Sequence, residues 1–303
     1  MSQYLNDITV TVNWLIRQKL DRKWNTERFA KIHRIVPFSR IYFPVAGYGT
    51  VTHQGKVFEL TPGKILLVPA FAEVKCFCPD HLEKYWCHFN AFLGKSSPDI
   101  FALNRTCIEL PVPDREFLSL LFDHLIALST RTEPVRQFEF TAAMRLLLAR
   151  FLDKVSWTEN ENTLPFFTRL LIYIGEHLHE ELSLKTLAGH VGICPSHLSH
   201  RFHDKMGMKL FEYITINRMY KAMFLLRAKQ YSVSEISDLT GFSNISVFSK
   251  SFKRHTGYSP LEFRKYFMSL PSAVDVVSSF RDPEVMQRVK KLQNAGETRP
   301  AGS

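Results

Sequence analysis

Two sets of four side chains recur at one spacing. Ser196, Ser199, His200 and His203 stand at i, i+3, i+4 and i+7, and Ser246, Ser249, Lys250 and Lys253 repeat the interval 50 residues later. Residues so spaced share one face of a helix. Hydroxyls, imidazoles and ammonium groups together offer donors, acceptors and positive charge, which is the chemistry of recognising a polar, anionic surface. Bond-breaking chemistry needs other constellations, and the chain has neither a Gly-x-Ser-x-Gly elbow nor a phosphate-cradling glycine loop.

The elements that must position these faces form a duplicated unit. One copy carries Leu187, Ala188, Gly192, Ser196, Leu198, Ser199, Phe202, Gly207 and Glu212. The other carries Ile236, Ser237, Gly241, Ser246, Phe248, Ser249, Phe252, Gly257 and Glu262, offset by 49 up to the first glycine and by 50 after it. A self-match of this kind marks a structural unit used twice. In each copy a short helix carries a small residue (Ala188, Ser237) that lets another helix approach. A glycine tolerant of positive φ then ends it. The second helix begins at Pro195 in one copy and behind a Ser243 cap in the other. Leu198/Phe202 and Phe248/Phe252, four apart, predict the buried stripe and leave the polar stripe outside. Helix, glycine turn and a second helix with a donor-rich face describe a helix-turn-helix that fits a DNA major groove. Either copy alone is equally an ordinary amphipathic surface helix; two copies with matching core and face positions favour groove reading. Ser196, Ser199 and His200 then face base edges in one groove, and Ser246 and Lys250 in the next, with Ser249 on the same stripe. His203, Arg218, Lys253 and Arg254 are expected at phosphates. A helix over 209–227 would set the two grooves about 10 bp apart.

Bulk properties fit this division. A length of 303 residues predicts about two domains. Residues 164–268 hold 14 Lys/Arg against 8 Asp/Glu, and residues 1–163 hold 20 against 17, so the net charge of +10 is concentrated in the repeat, which also carries seven of the 12 histidines. That is the footprint of a module releasing counterions from DNA. The five cysteines, Cys76, Cys78, Cys87, Cys107 and Cys194, are odd in number and scattered, which points to a reducing, cytoplasmic setting. No basic leader and no apolar run near ~18 residues is present, so neither signal peptide nor membrane span is expected.

Residues 164–267 resemble the DNA-binding domain of the AraC/XylS transcription regulators. The stretch from Ile236 to Arg264 carries the resemblance: the Gly241-Phe242 turn, Phe248-x3-Phe252-Lys253, Gly257-x-x-Pro260 and the closing Phe263-Arg264 pair. Arg218, Ala222, Leu225 and Leu226 resemble the family's joining helix. Ser237 stands where alanine is usual, and Phe248 where tyrosine or leucine is common. The base-facing positions above are also the family's. The resemblance implies double-stranded promoter DNA as partner, with RNA polymerase as a further one.

Ahead of the repeat the texture is β. Residues 41–45, 49–53, 56–60, 65–68, 74–78 and 84–92 read as strands, broken by Gln54-Gly55, Thr61-Pro62-Gly63 and Pro79-Asp80. Six short antiparallel strands predict a small barrel or sandwich. Gly47-Tyr48-Gly49-Thr50-Val51, Leu60-Thr61-Pro62-Gly63 and Tyr85-Trp86-Cys87-His88-Phe89 are similar to the cupin-like sensor domain of the same family, and imply an effector cavity at Phe77, Lys84 and Trp86. His88 shares a strand face with Lys84, Trp86 and Asn90. An aromatic ring with a few donors suits a carbohydrate or small polar metabolite. Ala46 replaces the arginine of the arabinose sensor, so that binding mode does not carry over. His53, His81 and His88 lack a His-x-His pair, and Cys76-x-Cys78 lacks a zinc-spaced partner, so no metal, cofactor or catalytic residue is expected.

Residues 114–155 return to helical spacing, with stripes Phe117, Leu120, Leu121, His124, Leu125, Leu128 and Phe138, Ala142, Arg145, Leu146, Ala149, Leu152. The pair holds more apolar surface than one barrel face needs, which predicts a homodimer contact; helices that only cap the barrel are the alternative. Residues 1–35 show one short amphipathic piece.

The fold expected is α+β and multi-domain. A cupin-like antiparallel β-barrel occupies 1–112, a helical dimerisation pair 113–157 and a linker 158–163. The double helix-turn-helix spans 164–268, and a partly disordered tail, with a short helix around 284–292, fills 269–303. The function expected is a DNA-binding regulator, not an enzyme, switched by a small effector. A regulator without an effector, and a barrel enzyme with a tethered DNA module, remain the alternatives.

Overall fold

Residue Ile8 begins a strand that pairs along almost its whole length with the other long strand of the β-domain. A computed structural model of the protein describes residues 7–26, 35–93, 99–102, 106–155, 166–227 and 230–267. The expected linker at 158–163, and the tail with its helix near 284–292, lie outside these residues.

The strands are β1 (Ile8–Asp21), β2 (Ser39–Gly47), β3 (Gly49–His53), β4 (Lys56–Leu60), β5 (Lys64–Val68), β6 (Lys75–Phe77), β7 (His81–Leu93) and β8 (Ile108–Pro111). They form two antiparallel sheets, ordered β1-β7-β2-β5-β8 and β4-β3-β6. β7 lies between β1 and β2 and is buried on both faces. Tyr85, Cys87, Phe89 and Ala91 turn to one side, where two helices cover them, α1 (Arg115–Leu128) and α2 (Pro134–Leu152). Phe43, Tyr85 and Phe122 stack there at 5.1–6.0 Å. Trp86 turns to the other side with Tyr42, Leu66 and Val68, against Val51, Phe58 and Cys76 of the smaller sheet. The Gln54-Gly55 turn closes the β3–β4 hairpin with both residues at positive φ, 49° and 79°, as a two-residue hairpin requires.

β1 corrects the sequence reading, in which residues 1–35 held only a short amphipathic piece. Its register shifts between Val12 and Trp14, so Asn13 is a bulge that inverts the in–out phase midway along the strand. The apolar run Trp14-Leu15-Ile16 is the product of that phase change and reads as neither strand nor helix.

The remaining helices are α3 (Phe166–Glu176), α4 (Leu184–Val191), α5 (Pro195–Met206), α6 (Leu210–Arg227), α7 (Val233–Leu239), α8 (Ile245–Thr256) and α9 (Pro260–Phe267). α6 joins the two repeat copies and carries apolar residues on every side, the pattern of a buried helix. Tyr213 meets Phe71 of the β-domain with ring centroids 4.4 Å apart, Tyr220 meets Phe38 at 5.3 Å, and Phe224 stacks on Trp14 at 5.7 Å. One stripe of the joining helix therefore docks on the β-domain.

Candidate nucleic-acid interface and effector site

Each recognition unit is built by local rules. Ser183 caps α4 by accepting from the Thr186 N–H at 3.0 Å, and Gly192 ends it in the left-handed region. α5 opens on Pro195 and closes on left-handed Gly207. In the second unit Ser232 and Glu235 form a reciprocal capping box on α7. α8 is capped by Asn244, whose Oδ1 accepts from Val247 at 2.9 Å, one residue beyond the expected Ser243. Gly257 ends α8, and Ser259 and Glu262 box the start of α9, which is what the Gly-x-x-Pro signature encodes.

The buried stripes are those expected. Leu198, Phe202, Phe248 and Phe252 are fully buried, and so are the small residues Ala188 and Ser237. Truncating Phe202, held between Phe167 at 5.5 Å and Tyr213 at 5.4 Å, removes a core aromatic worth about 3–5 kcal/mol. The opposite faces are open: Ser196, Ser199, His200 and His203 on α5 are exposed, as are Ser246, Lys250, Lys253 and Arg254 on α8, with Ser249 half-buried. The Ser196 hydroxyl lies 3.5 Å from the Cys194 thiol. His200 rests 3.4 Å from Asp204 one turn on, so this stripe also carries a carboxylate.

Arg218 has a different job from the phosphate contact expected of it. Its Nε donates to the Leu178 carbonyl at 2.9 Å, its Nη2 donates to the Glu180 carbonyl at 2.6 Å, and its guanidinium lies over Phe242. Partial burial lowers its pKa. It ties the loop leading into α4 to the turn of the second unit. Arg264 braces the second copy in the same manner, donating to the Leu226 and Tyr231 carbonyls just before α7. The destination of each arginine is set by a distant loop, which the spacing on its own helix does not reveal.

The expected effector residues separate. Lys84, Trp86 and His88 gather on one face of β7 and are buried. The Lys84 ammonium, 2% exposed, sits 3.8 Å from the Tyr42 ring centre and 4.8 Å from that of Trp24. The Trp86 indole donates to Gln18 at 2.9 Å, and His88 stacks on Phe38 at 4.7 Å. Phe77 does not join them. It is 43% exposed, because Cys76 and Cys78 on either side point inward and alternation sends Phe77 out. All five cysteines are free thiols. Among the described residues no three His, Cys, Asp or Glu side chains gather as a metal site, and no helix is long and apolar enough to cross a membrane.

Among the described residues, cavities lie where the β-domain meets the helices. One of about 520 Å³ is lined by Asn13, Phe38 and Asn90 from the β-domain and by Asn217, Lys221 and Phe224 from α6. Another, of about 500 Å³, lies between the 70–73 loop and the C-terminal end of α5. Phe71 in that loop adopts a left-handed φ of 62°, uncommon for a bulky residue.

Comparison with known proteins agrees with both halves. Residues 24–148 match the AraC-like ligand binding domain, and residues 187–266 match a helix-turn-helix domain family. The chain is 28% identical over 233 residues to the arabinose operon regulatory protein of Salmonella typhimurium, covering 73% of this chain and 81% of that protein. It is 23% identical to the Msm operon regulatory protein of Streptococcus mutans, covering 86% and 94%. It is 24% identical to the lactose operon transcription activator of Staphylococcus xylosus, covering 76% and 84%. The crystal structure of ToxT from Vibrio cholerae O395 superposes with a TM-score of 0.54 at 11% identity, covering 88% of this chain and all of that one, a likeness of fold. With a ligand-binding β-domain ahead of paired helix-turn-helix units, the chain belongs to the AraC/XylS family of transcription regulators.

Proposed function

We propose that the protein is a cytoplasmic, sequence-specific promoter-binding regulator, without enzymatic activity, whose DNA affinity is set by a small polar effector taken up by the β-domain. The observation that carries this reading is the pair of outward faces on α5 and α8, alike in spacing and each backed by a buried aromatic stripe. Ser196, Ser199 and His200 read base edges in one major groove, and Ser246, Ser249 and Lys250 in the next. His203, Lys253 and Arg254 hold phosphates, while Arg218 serves as the brace described above. The operon regulators among its relatives support a carbohydrate as the effector class. The protein acts as a homodimer through α1 and α2, where Leu120 and Phe138 leave large apolar surface exposed, Phe138 at 78%.

The test is fluorescence anisotropy on a duplex selected from a random pool. Lys250→Ala should cost about 1–3 kcal/mol on the selected site and relax discrimination at one guanine. Lys253→Ala should weaken selected and random duplexes alike and lower the salt slope by about 1. Unchanged discrimination in Lys250→Ala would remove Lys250 from base reading.

A further inference from the structure

We infer that Ile245 and Val247, on the first turn of α8, are specificity-determining residues that read the 5-methyl groups of thymines, so that the DNA element under the second unit is marked by thymine as well as by guanine. This deepens the promoter-binding reading and rests on it.

Placement is the first reason. In a helix-turn-helix the N-terminal residues of the second helix reach the base edges. On α8 those residues are Ile245, Ser246 and Val247, behind the Asn244 cap, whose Oδ1 accepts from the Val247 N–H at 2.9 Å. Ile245 stands four residues before Ser249, and Val247 three before Lys250. The two apolar side chains therefore bracket Ser246 and sit one turn ahead of the remaining base-facing pair.

Exposure is the second reason. Ile245 is 45% exposed and Val247 47%. The core behind α8 is made by Phe248 and Phe252 with Ile236, Phe242 and Phe263, and neither Ile245 nor Val247 belongs to that cluster. Both side chains are β-branched, which lowers helix propensity, so the helix itself gains nothing from them. One exposed apolar residue would mean little. Two on the turn nearest the bases call for an apolar partner.

The base edges supply one such partner. In the major groove every base presents polar donors or acceptors, and thymine alone adds a methyl group. Against a phosphate or a guanine edge these side chains would desolvate polar atoms and return no hydrogen bond. The first unit differs. At the matching offset of 50, α5 carries Pro195 and His197, both exposed, so an imidazole stands where α8 has valine. The duplicated scaffold thus holds two readers of unlike chemistry, a polar one on α5 and a mixed one on α8.

Wild-type full-length protein selects a duplex from a random pool, and each thymine in it is replaced singly by deoxyuridine, which lacks only the methyl group. Affinity is read by fluorescence anisotropy for wild type, Ile245→Ala and Val247→Ala. At a cluster of neighbouring positions uridine should weaken wild type by about four-fold per methyl. That loss should vanish in one of the alanine variants, since both changes remove the same contact. Thymines elsewhere, the stretch under α5 included, should respond alike in all the proteins. The comparison is uridine against thymine within each protein, so a general loss of affinity in a variant cancels. Uridine losses identical in wild type and both variants, or a selected duplex without a sensitive thymine, would overturn the assignment. Sequence discrimination separates the two readings: a wild type that holds selected and random duplexes alike brings down promoter reading, whereas discrimination kept with no methyl dependence brings down the methyl contact alone.

Discussion

Gly192 and Gly241 occupy the same place in the two repeat copies, with φ of 74° and 72°, yet their surroundings differ. A Cβ on Gly192 would meet nothing within 4 Å. A Cβ on Gly241 would lie 2.4 Å from the Leu178 carbonyl oxygen and 2.7 Å from Arg218 Nη2. Alanine at either site bears the left-handed cost of about 1–2 kcal/mol. At Gly241 it must also push apart the Arg218 brace. The hydrogen bonds to Leu178 and Glu180 involve a charged donor, but one that is half exposed, so about 1 kcal/mol each is a fair discounted value. Gly192→Ala should therefore cost about 1–2 kcal/mol and Gly241→Ala about 3–4 kcal/mol. Urea denaturation followed by helical circular dichroism measures both. In an Arg218→Ala background the Gly241→Ala cost should shrink, since the two changes remove the same contacts. Equal costs for the two glycine variants, or strict additivity with Arg218→Ala, would refute the brace.

Three further outcomes follow from particular side chains. Ser237 is 1% exposed, and its hydroxyl finds no hydrogen-bond partner among the described residues, so Ser237→Ala should raise stability by about 1 kcal/mol in the same urea assay; a loss would show a missed partner. Burial pushes Asp99 up to about 6, against hydrogen bonds from Ala91, Ser39, Phe101 and Ala102 that favour the anion. A carboxyl with a raised folded pKa binds more protons when folded, so its contribution falls as pH rises from about 4 to about 6, by at most about 3 kcal/mol. The stability of wild type relative to Asp99→Asn should accordingly be greater near pH 4.5 than near pH 7, and a gap that widens with rising pH would contradict this. Leu120→Glu with Phe138→Glu should convert dimer to monomer in analytical ultracentrifugation; an unchanged species would move the dimer contact elsewhere.

What the sequence disclosed, and what it hid, divides by range. The repeat was legible because its signals are local: glycines at the turns, aromatics four apart, and polar groups at the same offsets. β3 and β4 follow the expected limits because the Gln54-Gly55 turn pins them. β1 was missed because the bulge at Asn13 destroys the alternation a strand is recognised by. Phe77 was misplaced through lost phase: the inward pointing of Cys76 and Cys78 on that edge fixes it, and only the fold shows which face is inward. Arg218 was recognised as a cation but not as a brace, since its carbonyl partners lie 38 and 40 residues away. The docking stripe Tyr213, Tyr220, Phe224 did leave a trace, a joining helix apolar on all sides, which calls for a second partner beyond its own domain.

Hydroxyl-radical footprinting of the full-length protein on a selected duplex tests the central claim most directly. If α5 and α8 enter neighbouring major grooves, two protected stretches should appear on one face of the DNA, centred about 10 bp apart, and Lys250→Ala should weaken protection in one of them only. A single protected turn, or two on opposite faces of the helix, would contradict the account.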